Sequence, residues 1–306
     1  MTTLVFGHKS PDTDSTGSAI AWAWYMNEVV GTEAEPALLG EPNTEAAWML
    51  ERWNLPKPRI IADLEEGQRC VVVDTNNPAE LPDGIAEADL CQIIDHHRLV
   101  GGLETLGPID ITIRPLACTA TIMADLMGQS LSSAPEGIRG AMLTCILSDT
   151  LEFRSPTTTD HDRALAERLA SDLGVDIPEF AAEMFAAKSD VSAWSEEALL
   201  RMDSKEFDME GTKLRVSVLE TTSPAAILQR KDALVAAMPK VAEEDGVERV
   251  LLFVVDILAE EATLLVPDTL TQAVAEASFG VTVTGDTVVL PGVMSRKKQI
   301  IPVLTM

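Results

Sequence analysis

Through the first 115 positions the apolar residues come in short blocks, each closed by turn residues and separated by helical spacings. Thr3–Phe6 (TLVF), Cys70–Val73 (CVVV) and Leu90–Ile94 (LCQII) are runs of the kind that buried parallel strands produce, and Ala37–Leu39 reads as a further short strand. Between and after them, Ser15–Val30, Thr44–Trp53, Ala117–Gly128, Gly137–Thr150 and Asp160–Leu173 read as helices. Alternation of strand and helix predicts a doubly wound, mainly parallel α/β sheet. Ile109–Ile113 alternates differently, as a half-exposed strand does, and an edge of that kind invites pairing with another copy.

The pattern changes near residue 188. Ala187–Ser195 (AKSDVSAWS) is small and polar, and reads as a hinge. Beyond it, strands are expected at Leu214–Glu220, Arg249–Leu258, Ala262–Val266, Thr287–Leu290 and Gln299–Leu304, with helices at Pro224–Ala242 and Asp268–Ser278. The expected organisation is therefore residues 1–187, a hinge at 188–195, and a smaller α/β domain with a mixed sheet at 196–306.

Composition narrows the function classes. Of 306 residues, 46% are hydrophobic, enough for a core, and no apolar run reaches the length of a membrane span. The N-terminus lacks a basic segment followed by a long apolar one, so a cytoplasmic protein is expected. Forty-nine acidic residues against 23 basic ones give a net charge of −26, and aromatic residues are only 4%, which argues against nucleic acid as partner. Cys70, Cys91, Cys118 and Cys145 form no CxxC pair and sit in apolar contexts, so they read as free thiols in a reducing compartment.

The chemistry gathers at the strand ends, where parallel sheets present their ligand sites. His8, Asp12 and Asp14 follow the first strand, Asp74 follows CVVV, and Asp95-His96-His97 follows LCQII. Asp149 closes the otherwise apolar helix run LTCILSD. Each alone has an ordinary reading as a cap or a turn. Together they supply four carboxylates and two imidazoles, with His97 in addition and Asp95 placed to orient a ring. Mixed nitrogen and oxygen donors suit Mn²⁺, Fe²⁺, Co²⁺ or Zn²⁺ better than Mg²⁺. Six ligands exceed what one catalytic ion uses, and fit two ions bridged by a carboxylate. His161, in Thr159-Asp160-His161-Asp162, looks similar but opens a helix and reads as part of its cap. A basic triplet at Arg296-Lys297-Lys298 stands out in so acidic a chain as a candidate anion contact.

In this order GHKSPDTDS, VVVD, IIDHHR, ILSDT and SRKKQ resemble a family II, manganese-dependent inorganic pyrophosphatase, a DHH phosphoesterase with a DHH and a DHHA2 domain. The resemblance covers nearly the whole chain. It implies metal ligands at His8, Asp12, Asp14, Asp74, His96 and Asp149, with Asp74 bridging two Mn²⁺ ions per subunit (Co²⁺ being an alternative). It implies substrate contacts at His97, Lys205, Arg296 and Lys297, and gives Lys298 no direct contact. It also implies pyrophosphate entering with Mg²⁺, in-line attack by a metal-activated hydroxide between the two domains, and a homodimer through the N-terminal domain. One position departs from the family: after the third-motif Asp the common pattern is Asp-His-Asn-Glu, whereas here it is Asp74-Thr75-Asn76-Asn77. Metal affinity or turnover is expected to differ accordingly. The alternatives are an exopolyphosphatase or another DHH phosphoesterase, an oligonucleotide exonuclease, and a non-catalytic metal-binding regulator.

Overall fold

The apolar runs of the first half lie side by side in the computed structural model, which describes residues 2–192, 194–209 and 211–305, the side chain of Lys297 excepted. Two compact units result, residues 1–187 and 188–306.

The N-terminal unit is built from β1 (Thr3–Phe6), α1 (Thr13–Tyr25), β2 (Ala34–Leu38), α2 (Thr44–Arg52), β3 (Arg59–Ile60), β4 (Arg69–Val73), β5 (Asp89–Asp95) and β6 (Asp110–Ile113). Four helices follow: α3 (Thr119–Met127), α4 (Glu136–Asp149), α5 (Asp160–Leu173) and α6 (Ile177–Lys188). The sheet order is β3-β2-β1-β4-β5-β6, and every pairing is parallel. Its central strands are dry on both faces, with Val5, Phe6, Val71, Val72, Val73 and Ile94 fully buried, which explains their unbroken apolar sequence. Gly140 lets α4 lie against Trp53: a Cβ there would sit 2.1 Å from the indole ring. Trp53 Nε1 donates to Thr144 Oγ1 one turn along, at 2.9 Å.

The C-terminal unit contains α7 (Glu196–Met202), β7 (Ser204–Met209), β8 (Thr212–Thr221), α8 (Pro224–Leu228), α9 (Lys231–Asp245), β9 (Arg249–Asp256), β10 (Glu261–Leu265), α10 (Thr269–Phe279) and β11 (Thr287–Pro291). Its sheet runs β11-β10-β9-β8-β7; β8 and β9 are parallel and the other pairs antiparallel. Alternate residues of β9 serve two cores, Leu251, Phe253 and Val255 one, Val250, Leu252 and Val254 the other. The mixed α/β class expected from the sequence holds in both units.

Several segments differ from the sequence reading. The expected strand at Gln299–Leu304 is instead a helical turn over Arg296–Ile300 followed by a 3₁₀ turn over Ile301–Val303. Ser295 Oγ accepts from Lys298 N–H and starts the turn, and Pro302 has no N–H to offer a sheet. The single helix expected over Pro224–Ala242 breaks between α8 and α9 at Gln229–Arg230. The Arg230 guanidinium reaches back to the carbonyls of Val191 and Trp194, both at 2.6 Å. The helix α6, the helix α7 and the exposed, alternating strand β7 were not expected.

Candidate metal centre and its surroundings

The N-terminal unit brings all six candidate ligands to the carboxyl ends of β1, β4 and β5. The chain leaves β1 through Gly7, where a Cβ would collide with Ser15 Oγ at 1.9 Å. That close approach sets the start of α1 against the strand. Asp12 is the N-cap of α1, its Oδ1 accepting from Ser15 N–H at 2.9 Å. Asp14, in the first turn of α1 and 1% exposed, accepts from Ser18 Oγ (2.8 Å) and from the Thr119 and Ala120 amides at the start of α3 (2.7 and 3.3 Å). Asp74 ends β4 with φ +60°, in the left-handed region that Asp tolerates better than most residues. Its backbone strain is of the kind that collects at functional sites.

Asp74 offers its two oxygens in two directions. Oδ2 lies 3.5 Å from His8 Nε2, which is also 3.5 Å from Asp12 Oδ2. Oδ1 lies 3.4 Å from His96 Nε2. Because the Leu116 carbonyl can only accept, its contact with His96 Nδ1 at 3.2 Å assigns the proton to Nδ1 and leaves Nε2 as the donor atom for a metal. Two sets result, His8–Asp12–Asp74 and Asp14–His96–Asp149, each with ligand atoms within 4.8 Å of one another. A third set, Asp74–His96–His97, overlaps them.

The electrostatics of these groups call for a cation. Burial pushes the Asp14 carboxyl up to about 6, helped by repulsion from Asp74. Burial raises Asp149 well above the carboxylate range, with Asp14, Asp74 and Asp12 adding to it. Burial opposes charge on His8, but Asp12 and Asp74 outweigh it and raise the ring to about 10. The same opposition at His96 is overcome by Asp74 and Asp14, reaching about 9. Burial would neutralise Asp74, and the two imidazoles hold it well below the usual range instead. Among the described residues, no amide, amine or hydroxyl reaches the buried Asp149 Oδ2. A buried oxygen without a donor, beside three other carboxylates and two imidazole nitrogens, fits divalent metal with mixed N/O ligation.

Around the cluster lie further polar residues, of which Glu45 was not singled out by the sequence. Glu45 on α2 is fully buried, and its Oε2 accepts from Thr13 Oγ1 (2.9 Å) and Ser148 Oγ (2.7 Å). It thus ties the residue between Asp12 and Asp14 to the residue before Asp149. At the helix start it resembles an ordinary dipole-complementing acid, so only the long-range contacts reveal it. Asn76, readable only as a turn residue, is 3% exposed and binds Asp95. Thr75, where the resemblance leads to an expectation of His, is buried and donates to Glu80 Oε2 at 2.6 Å. A polar cleft of about 570 Å³ opens beside the cluster, lined in part by His8, Lys9, Thr75, His97 and Arg98. A larger cavity of about 720 Å³ among α3, α4 and α5 includes His161 but none of the six ligands. His161 pairs with Asp125 at 2.8 Å, while Thr159 and Asp162 form the capping box of α5.

In the C-terminal unit, Lys205 lies exposed on β7 opposite Val216 of β8. Arg296, 16% exposed, pairs with Asp203 at 2.8 Å. The C-terminal motif is therefore fastened two residues from Lys205. The side chain of Lys297 lies outside the described residues.

The chain matches the model of the DHH family N-terminal domain over residues 2–150 and that of the DHHA2 domain over residues 182–306. A protein from Deinococcus radiodurans named a probable manganese-dependent inorganic pyrophosphatase is 40% identical over 306 residues, covering 98% of this chain and 96% of the relative. One of the same name from Lactobacillus acidophilus is 36% identical over 304 residues, covering 99% and 97%. The chain belongs to the manganese-dependent inorganic pyrophosphatase family. The fold agrees with a Methanococcus jannaschii crystal structure assigned to family II inorganic pyrophosphatases, with TM-score 0.64 and 33% identity over 97% of this chain and 96% of that one. An exopolyphosphatase-related protein from Bacteroides fragilis shares the fold at TM-score 0.51 and 13% identity, over 98% of this chain and 89% of that one. Membership sharpens the meaning of Thr75: a buried threonine tied to Glu80 stands in this member beside Asp74.

Proposed function

We propose that the chain hydrolyses inorganic pyrophosphate to two phosphates at the cluster of His8, Asp12, Asp14, Asp74, His96 and Asp149. The observation that carries this is the pair of ligand sets, His8–Asp12–Asp74 and Asp14–His96–Asp149, with Asp74 Oδ1 of the first 3.4 Å from His96 Nε2 of the second, within a chain of the pyrophosphatase family. His8 and Asp12 would hold one Mn²⁺, and Asp14, His96 and Asp149 a second, with Asp74 between them; Co²⁺ is the expected substitute. Bound there, the ions would supply Lewis-acid activation of water and charge neutralisation at phosphorus.

The chain's own residues do the rest. Asp74 keeps its carboxylate ionised and aimed at both sites. His97 presents its ring beside them and contacts the substrate, which enters with Mg²⁺. Lys205, Arg296 and Lys297 neutralise the phosphate oxygens, and Lys298 makes no direct contact. Closure of the DHHA2 unit over the DHH unit would bring them in and exclude water. Val191 and Trp194 are tied to Arg230, and Ser189 to Thr221 and Thr222, so we place the bend at the N-terminal end of the 188–195 segment. We further propose a homodimer through the N-terminal unit, because β6 is an edge strand and Leu99, Val100, Leu106 and Ile111 are exposed near it in sequence. A cytoplasmic setting fits four free cysteines.

The test is phosphate release after chelator stripping, with Mn²⁺, Co²⁺ or Zn²⁺ restored alongside Mg²⁺. Pyrophosphate, tripolyphosphate and a short oligonucleotide are compared. Preference for pyrophosphate, restored best by Mn²⁺ or Co²⁺, is expected. Preference for the longer chain would favour the exopolyphosphatase reading, and no turnover of any substrate would leave a metal-binding regulator.

A further inference from the structure

We propose that Asn76 is a positioning residue for His97, acting through Asp95. This rests on the reading of His97 as a substrate contact. The strands β4 and β5 are neighbours, and Asp74 N–H donates to the Ile94 carbonyl at 2.9 Å, so the two loops leave the sheet side by side. Asn76 spans them. Its Nδ2 donates to Asp95 Oδ2 at 2.5 Å and to the Arg98 carbonyl at 3.1 Å, and its Oδ1 accepts from Val100 N–H at 2.7 Å. A carboxylate only accepts and a backbone N–H only donates, so the amide orientation is determined.

Asp95 is fully buried and divides its two oxygens. Oδ2 takes Asn76, while Oδ1 takes His97 N–H at 3.0 Å and His97 Nδ1 at 2.9 Å. The proton therefore lies on Nδ1, and Nε2 is directed away from Asp95. The His97 side chain is 53% exposed, so packing alone does not hold it. Its orientation depends on Asp95, and that of Asp95 on Asn76. The position needs two donors and an acceptor at one point, which only a carboxamide supplies, and glutamine would carry its amide one methylene further out. An aspartate would set a second carboxylate against Asp95, and an alanine would leave Asp95 Oδ2, the Arg98 carbonyl and Val100 N–H without their partner.

The experiment compares Asn76→Ala, His97→Gln and the double variant in the manganese-loaded enzyme. Mn²⁺ affinity is measured by titration, and kcat and KM with magnesium pyrophosphate. Removing an outer orienting group typically costs about 10- to 100-fold, so Asn76→Ala should lose that much turnover while Mn²⁺ affinity holds within about threefold. The double variant should be no worse than His97→Gln, since both remove one function. Losses that multiply in the double variant, or a parallel fall in Mn²⁺ affinity, would show general loosening and overturn the proposal. So would normal turnover in Asn76→Ala beside a defective His97→Gln. Full turnover in His97→Gln would instead overturn the reading of His97, and this inference with it. Asn76→Ser keeps one hydroxyl for the loop and serves if the alanine variant fails to fold; an intermediate loss is expected, and none would contradict the account.

Discussion

In the N-terminal unit Asp14 and Asp74 are at most 2% exposed and share their surroundings with two further carboxylates. In the C-terminal unit Lys205 is exposed, and Arg296 pairs with an Asp203 whose side chain is itself 55% exposed. The first arrangement is unstable by itself, since buried like charges repel and lack water. The second is stable by itself, since Lys205 remains hydrated and the mostly buried Arg296 is paired with Asp203. A permanent cation suits the first, and a transient anion the second. On the proposed reading, burial serves the cation and the exposed Lys205 serves the anion.

The sharpest way to break this contrast is to remove a buried ligand. Asp149→Asn should lower pyrophosphate turnover by more than about 100-fold, beyond the 10- to 100-fold usual for outer-shell partners. Steady-state phosphate release checks it, and a smaller loss would remove Asp149 from the ligand set. On the exposed side, Lys205→Ala gives up one hydrogen bond to a charged group, worth about 1.5–3 kcal/mol, so kcat/KM should fall by roughly 10- to 150-fold. Mn²⁺ titration of that variant should match the parent protein, and a weakened metal site would blur the division between the units. Ser148→Ala severs half of the Glu45 tie. Mn²⁺ affinity should fall by about tenfold, at the lower end of the range for second-shell partners, and unchanged affinity would reduce Glu45 to a packing residue.

Metal uptake also carries a pH signature. Without metal, His8 and His96, raised to about 10 and 9, are protonated at pH 7, and burial raises Asp14 to about 6. Binding must displace the two imidazole protons. Apparent Mn²⁺ affinity should rise with pH between 7 and 8.5, by about tenfold per pH unit for each proton released. Calorimetry in buffers of different ionisation enthalpy counts those protons, and a count of zero would contradict the electrostatics of the cluster.

Much of this arrangement was legible in the residues. The strand β1 and the Cys70–Val73 part of β4 are unbroken apolar runs because both their faces are buried, β5 is interrupted by the half-buried Gln92, and the candidate ligands follow because parallel strands deliver side chains at their carboxyl ends. Where the reading failed, local pattern and tertiary context disagree. Gln299–Leu304 is apolar enough for a strand, but Pro302 and the Ser295 cap turn it into helix. The strand β7 is a half-exposed edge, so its sequence SKEFDM resembles a loop. Glu45 meets Ser148 across 103 positions, and Asn76 meets Asp95 across 19. Neither residue type at its local position announces such a partner.

The central claim is that Asp74 joins two metal sites. Electron paramagnetic resonance of the chelator-stripped protein during Mn²⁺ titration, with phosphate release followed in parallel, tests it most directly. The account predicts two ions per chain, a spin-coupled pair at saturation, and turnover that follows the appearance of that pair. A single uncoupled ion at full activity would contradict it.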